Sequence, residues 1–166
     1  MDVSCGMERA QEMGLQVMLA TFTIPHGRGD DLDLGRANPG TFEIQHLWID
    51  PTVASNTRNE AAYKEYNMYF PPARSESDAR DLTGGRFVLP VEGRLSTSFG
   101  ETRYVNGSPT SYRHSGIDIA APTGTPVGAL AGGRITLSSH FILTGNTVVI
   151  DHGRGLFSVY FHLHTL

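Results

Sequence analysis

Arg113-His114-Ser115-Gly116-Ile117-Asp118-Ile119-Ala120-Ala121-Pro122-Thr123-Gly124-Thr125-Pro126-Val127 is the stretch around which the chain can be read. From Gly116 to Ala120 apolar and non-apolar residues alternate, which favours an extended strand. Side chains on a strand repeat every two residues, so His114, Gly116 and Asp118 are expected on one face. Ile117 and Ile119 then point the other way, into a core. Gly116 leaves open space between an imidazole and a carboxylate. A divalent cation could fill it, because zinc accepts both histidine nitrogen and carboxylate oxygen. A plain hydrogen-bonded His–Asp pair on a solvated strand would look the same at this level.

The rest of the chain sets the frame. Its 166 residues suit one domain, or one domain and part of another. A compact chain of that size buries about 70% of its unfolded surface and needs no staples. With 39% hydrophobic and 18% charged residues the profile is globular, and 19 glycines and 9 prolines between short β-like runs favour a turn-rich, mostly β fold. The formal net charge of −4, with no basic run, argues against nucleic acid as a partner. The single cysteine, Cys5, excludes an internal disulfide. No stretch reaches the length of a membrane span. Residues 1–14 are polar, and no basic region precedes the apolar run Leu15–Ile24, so no signal peptide is visible. The oligomeric state is left open.

Leu15–Ile24 is rich in β-formers and ends at Pro25, so it is expected to be a strand. His26–Gly35 has the glycines and aspartates of a calcium-binding turn, but in a single copy where such turns work as stacked repeats, so a solvated loop is expected. Thr41–Asp50 alternates as a second strand, with His46 on the face of Phe42, Ile44 and Trp48 and expected in a core. Ser55–Phe70 is expected to be helical, with Tyr63, Tyr66 and Tyr69 on one packed face. Residues 1–70 are thus expected to form a small β-rich accessory segment with one helix. Residues 71–85, beginning Pro71-Pro72, should be a linker, and residues 86–166 a domain of their own.

In that second part the expected strands are Phe87–Val91, Leu95–Phe99, Gly116–Ala120, Gly133–Ser138, Asn146–Asp151 and Gly155–His164. The last two flank a glycine-bearing hairpin turn. On the final strand Ser158, Tyr160, His162 and His164 are expected on a polar face, with Phe157, Val159, Phe161 and Leu163 in the core.

Four separated passages then agree in content, order and spacing: FVLPVEGRLSTSFG (87–100), HSGIDIAAPTGTPV (114–127), GGRIT (132–136) and TGNTVVIDHGRGLFSVYFHL (144–163). Together they resemble the lysostaphin/LytM-type zinc metallo-endopeptidases, which hydrolyse peptidoglycan, over residues 86–166. The resemblance implies an antiparallel β-sheet peptidase domain, with His114 and Asp118 as ligands of Zn2+. It also implies that His162, in Tyr160-Phe161-His162-Leu163, lines the active site, where it orients a metal-bound water or stabilises the tetrahedral intermediate. The implied substrate is a peptide stem or cross-bridge of bacterial peptidoglycan, and the implied location is the periplasm or another part of the cell envelope.

In the family, the second histidine of a later His-x-His motif completes the zinc site, and the first serves as general base. His162-Leu163-His164 has that form, but His162 already fills the earlier position, so His164 is expected to be an ordinary strand residue. On this resemblance the chain is expected to be C-terminally truncated, without the third ligand, and inactive as it stands. The alternative is a non-catalytic protein of the same fold that binds the wall or a partner hydrolase. His152 is expected to fix the hairpin turn.

Overall fold

A computed structural model describes residues 15–23, 42–48 and 60–166, with the backbone alone for residues 15–23, 47 and 110–113. The loop expected at His26–Gly35 and the first residues of the expected helix lie outside the described residues. The described chain is mostly strand, with one helix: β1 (Leu15–Thr23), β2 (Ile44–Leu47), α1 (Glu60–Ala73), β3 (Arg94–Thr97), β4 (Thr102–Val105), β5 (Ser108–Arg113), β6 (Ile117–Pro122), β7 (Arg134–Phe141), β8 (Gly145–Asp151) and β9 (Phe157–Leu163).

Six strands form one sheet in the order β3-β6-β1-β9-β8-β7, and every neighbouring pair in it is antiparallel. The strand expected from Leu15 to Ile24 therefore stands in the middle of the main sheet. Leu19 lies opposite Asp118, and Ala20 opposite both Ile117 and Tyr160. A second, three-stranded sheet has β2 parallel to β4 and β4 antiparallel to β5.

The main sheet is covered on both faces. On one, Ala62 and Phe70 of α1 meet Phe141, Leu143, Val149, Phe157, Val159 and Phe161, with Tyr63 and Tyr66 packed around them. Phe70 is its centre, stacked on Tyr66 and meeting Phe141 and Phe161 at ring separations of 5.1 and 5.7 Å. The helix continues past its expected end at Phe70 through Pro71 and Pro72. Its last turn closes with short i to i+3 bonds from the Arg74 and Ser75 amides to the two proline carbonyls.

On the other face Val91, Ile119, Ala121, Ile150 and Tyr160 form a second cluster, joined by Val127 and Leu130. This corrects the expected polar face of β9: Ser158 and Tyr160 are fully buried. Loops 87–91 and 127–131 close over that side, so the polar atoms must pair with one another. They do so in one direction. The Leu130 amide donates to the Tyr160 oxygen at 2.7 Å, and Ser158 Oγ lies 2.9 Å from it and 2.7 Å from Nε2 of His152. Nδ1 of His152 bonds the Gly132 carbonyl at 2.7 Å, so this buried histidine fixes the turn, as expected, and the start of β7 as well.

Phe87–Val91 is not a strand. Pro90 removes a donor, and the backbone touches its neighbours only singly, as where the Val88 amide donates to Leu130. Residues 76–85 run along the β8–β9 turn. The Ser77 hydroxyl and Asp78 amide donate to the two oxygens of buried Asp151 at 2.6 and 2.9 Å, and the Leu82 amide donates to the His152 carbonyl at 2.9 Å. The approach is so close that a side chain at Gly153 would run into the Arg80 carbonyl.

Candidate metal centre

The centre is assembled by a hairpin the sequence reading passed over. Asn106 and Gly107 have φ of 51° and 79°, the two positive values that a type I′ turn requires between β4 and β5. The returning strand delivers His114. Its amide donates to the Glu101 carbonyl at 3.0 Å, and its carbonyl accepts from the Gly100 amide at 2.8 Å. His114 is thereby pinned against the 98–101 turn, at 5% exposure. Four residues on, β6 carries Asp118, at 3% exposure, facing it.

Nδ1 of His114 lies 3.1 Å from the Ser98 carbonyl, which can only accept, so Nδ1 carries the hydrogen. In the neutral ring Nε2 then presents its lone pair, and it stands 3.3 Å from Oδ1 of Asp118. Burial by itself would raise the Asp118 carboxyl. The His114 hydrogen bond and charge, the Arg103 charge and the Thr97 hydroxyl outweigh it and hold Asp118 below the ordinary aspartate value. Protonated, the ring donates Nε2–H to Oδ1; neutral, it turns a lone pair to the same oxygen, and a cation can take the place of that proton. Two donors about 2.0–2.1 Å from a tetrahedral zinc lie about 3.3 Å apart, so the spacing suits a metal ion as well as a proton.

Arg103 was not singled out by the sequence, yet it belongs to this centre. It is only 2% exposed, and its Nη2 donates to Oδ2 of Asp118 at 3.0 Å.

His162 is carried by β9. β1 separates β6 from β9, so the strands of Asp118 and His162 are two strand spacings, roughly 10 Å, apart. His162 is half-buried, with φ of 58°, unusual for a residue other than glycine. Its amide donates to the Thr144 carbonyl at 2.9 Å, and its ring lies beside Gly145. Among the described residues no group of three or more His, Cys, Asp or Glu side chains is placed to hold a metal ion.

Among the described residues, the other histidines join no cluster of metal-ligand residues. His164 is exposed, and its carbonyl accepts from the Asn146 side-chain amide. His46, expected in a core, is exposed and stacks on Tyr104, and among the described residues no layer covers that face of β2.

Residues 112–166 match the description Peptidase family M23. The chain is 50% identical over 91 residues to the DD-carboxypeptidase/endopeptidase Mpg of Neisseria meningitidis, covering 53% of this chain and 21% of that protein. It is 32% identical over 130 residues to the peptidoglycan DD-endopeptidase ShyA of Vibrio cholerae, covering 78% of this chain and 29% of that protein. The murein hydrolase activator EnvC of Escherichia coli is 33% identical over 110 residues, covering 63% of this chain and 23% of that protein. The chain spans less than a third of the length of these curated relatives.

Proposed function

We propose, from the premise that residues 112–166 belong to peptidase family M23, that this chain serves a zinc-dependent endopeptidase acting on peptide stems or cross-bridges of bacterial peptidoglycan. The observation that carries the reading is the buried facing of Nε2 of His114 and Oδ1 of Asp118 at 3.3 Å, with the histidine tautomer set by Ser98. These two residues would hold the metal. Bound there, zinc would lower the pKa of a water and polarise the scissile carbonyl.

His162 is proposed as the histidine that orients that water or stabilises the developing oxyanion, a role for which a neutral imidazole can donate at one nitrogen and accept at the other. Two protein donors hold zinc less firmly than three, so the chain by itself is expected to turn over slowly. The substrate puts the site of action in the periplasm or elsewhere in the cell envelope. Among the described residues no helix is long and apolar enough to cross a membrane.

Zinc content after dialysis, measured for the purified chain and for His114→Ala, tests this. The expected result is bound zinc in the first and a loss of at least tenfold in affinity in the second, and equal zinc in both would overturn the metal reading.

A second reading is favoured by the likeness to an activator: a protein of the same fold that binds the wall or a partner hydrolase without cutting. Under it, His114→Ala would bind purified peptidoglycan and stimulate a hydrolase as well as the unaltered chain does.

A further inference from the structure

We propose that Arg103 is a positioning residue of the metal centre: it claims Oδ2 of Asp118 and leaves Oδ1, turned toward His114, as the oxygen free to ligate. The proposal rests on the reading of His114 and Asp118 as metal ligands.

Three observations carry it. The first is burial. Arginine is almost never fully buried unless paired, and the guanidinium here, at 2% exposure, lies against a carboxylate of 3% exposure. Such a pair adds little net stability, because two charges have left water, so stability alone gives weak reason for an arginine at this place.

The second is backbone design. The register of β4 on β5 breaks between Thr102 and Tyr104, where β5 carries the extra residues and Arg103 stands opposite them. The register of β3 on β6 breaks between Leu95 and Thr97, directly opposite Asp118. Bulges re-aim side chains, and these two converge on one aspartate. From the first comes the Arg103 guanidinium. From the second come the Ser96 hydroxyl, 3.2 Å from the Asp118 carbonyl, and the neighbouring Thr97, which bonds its carboxylate.

The third is geometry. Oδ1 stands 3.3 Å from Nε2 of His114, while Oδ2 is taken at 3.0 Å. Without that anchor the carboxylate can turn about its Cβ–Cγ bond and lose its aim. Outer partners that orient metal ligands are typically worth 10–100-fold in affinity.

The test is a cycle of zinc affinities, read by competition with a chromophoric chelator on the purified chain. Arg103→Met keeps the length and apolar bulk of the stem. It should weaken zinc about 10–100-fold in the unaltered background and about twofold or less in an Asp118→Asn background. Arg103→Lys, which keeps the charge without the planar fork, should recover part of the loss.

Urea unfolding of the zinc-free variants reports whether the fold survives. If Arg103→Met does not fold, Arg103→Lys decides alone: weakened zinc supports the proposal and unchanged zinc overturns it. An equal loss in both backgrounds, or no loss in either, also overturns it while the metal reading stands. If the unaltered chain binds no more zinc than His114→Ala, the metal reading itself has failed, and the role of Arg103 falls with it.

Discussion

Asp118 and Asp151 each give up water and recover more than they lose. At Asp118 burial is outweighed by His114, Arg103 and Thr97. At Asp151 burial is outweighed by the Ser77 hydroxyl, the Asp78 and Gly153 amides and Arg134. Both carboxyls therefore titrate below the value near 3.9 of an unfolded aspartate. The folded chain binds fewer protons than the unfolded one in that window, so their contribution is complete above about pH 4–5 and disappears as pH falls through the folded values. The urea midpoint should be flat from pH 7 to about 5 and drop below about 4. Asp151→Asn should lower the midpoint at pH 7 and make the acid drop shallower, and an unchanged acid slope would refute the linkage. Sequence spacing placed His114 and Asp118 together, but not along one strand: β6 begins at Ile117, and His114 lies in the link after β5. Arg103 was not legible, since no local period connects it to a residue on another strand.

At the level of elements, what was readable and what was not divides on apolar content. The β8–β9 hairpin and α1 announce themselves through apolar repeats, and the structure builds a core from them. Phe70→Ala should cost about 3–5 kcal/mol in a urea or thermal unfolding experiment, because its ring joins the helix to β7 and β9. A cost under about 1 kcal/mol would mean that the helix is not held by this contact. The β4–β5 hairpin has polar strands and was passed over, although its Asn106-Gly107 pair is a hairpin-turn signal. Phe87–Val91 misled in the other direction. Its apolar residues cover the end of a sheet, where Val91 is buried while Phe87 and Leu89 remain more than half exposed.

Across the whole molecule the least local feature is β1. A proline there would remove an amide donor from a strand paired on both sides, a place where proline is not tolerated. Leu19→Pro should therefore lower the urea midpoint sharply or send the protein into aggregates, whereas a two-part chain with an independent N-terminal segment would leave the unfolding of residues 86–166 unchanged. Size-exclusion chromatography with urea titration separates the outcomes. Hydrophobic runs predicted that residues 15–24 form a strand, but which strands it joins depends on pairings with residues 117–122 and 157–160, and no pattern within the segment encodes that.

That placement also sets an order of events at the ribosome. The middle strand of the sheet is made before both of its partners, β6 and then β9. At synthesis rates of about 5–20 residues per second, β1 waits roughly 5–20 seconds with both edges unsatisfied, and about 2–8 seconds more before β9 covers the second. During that interval it is a sticky, β-prone ribbon, and the cell must keep it from finding the same ribbon on a neighbouring nascent chain.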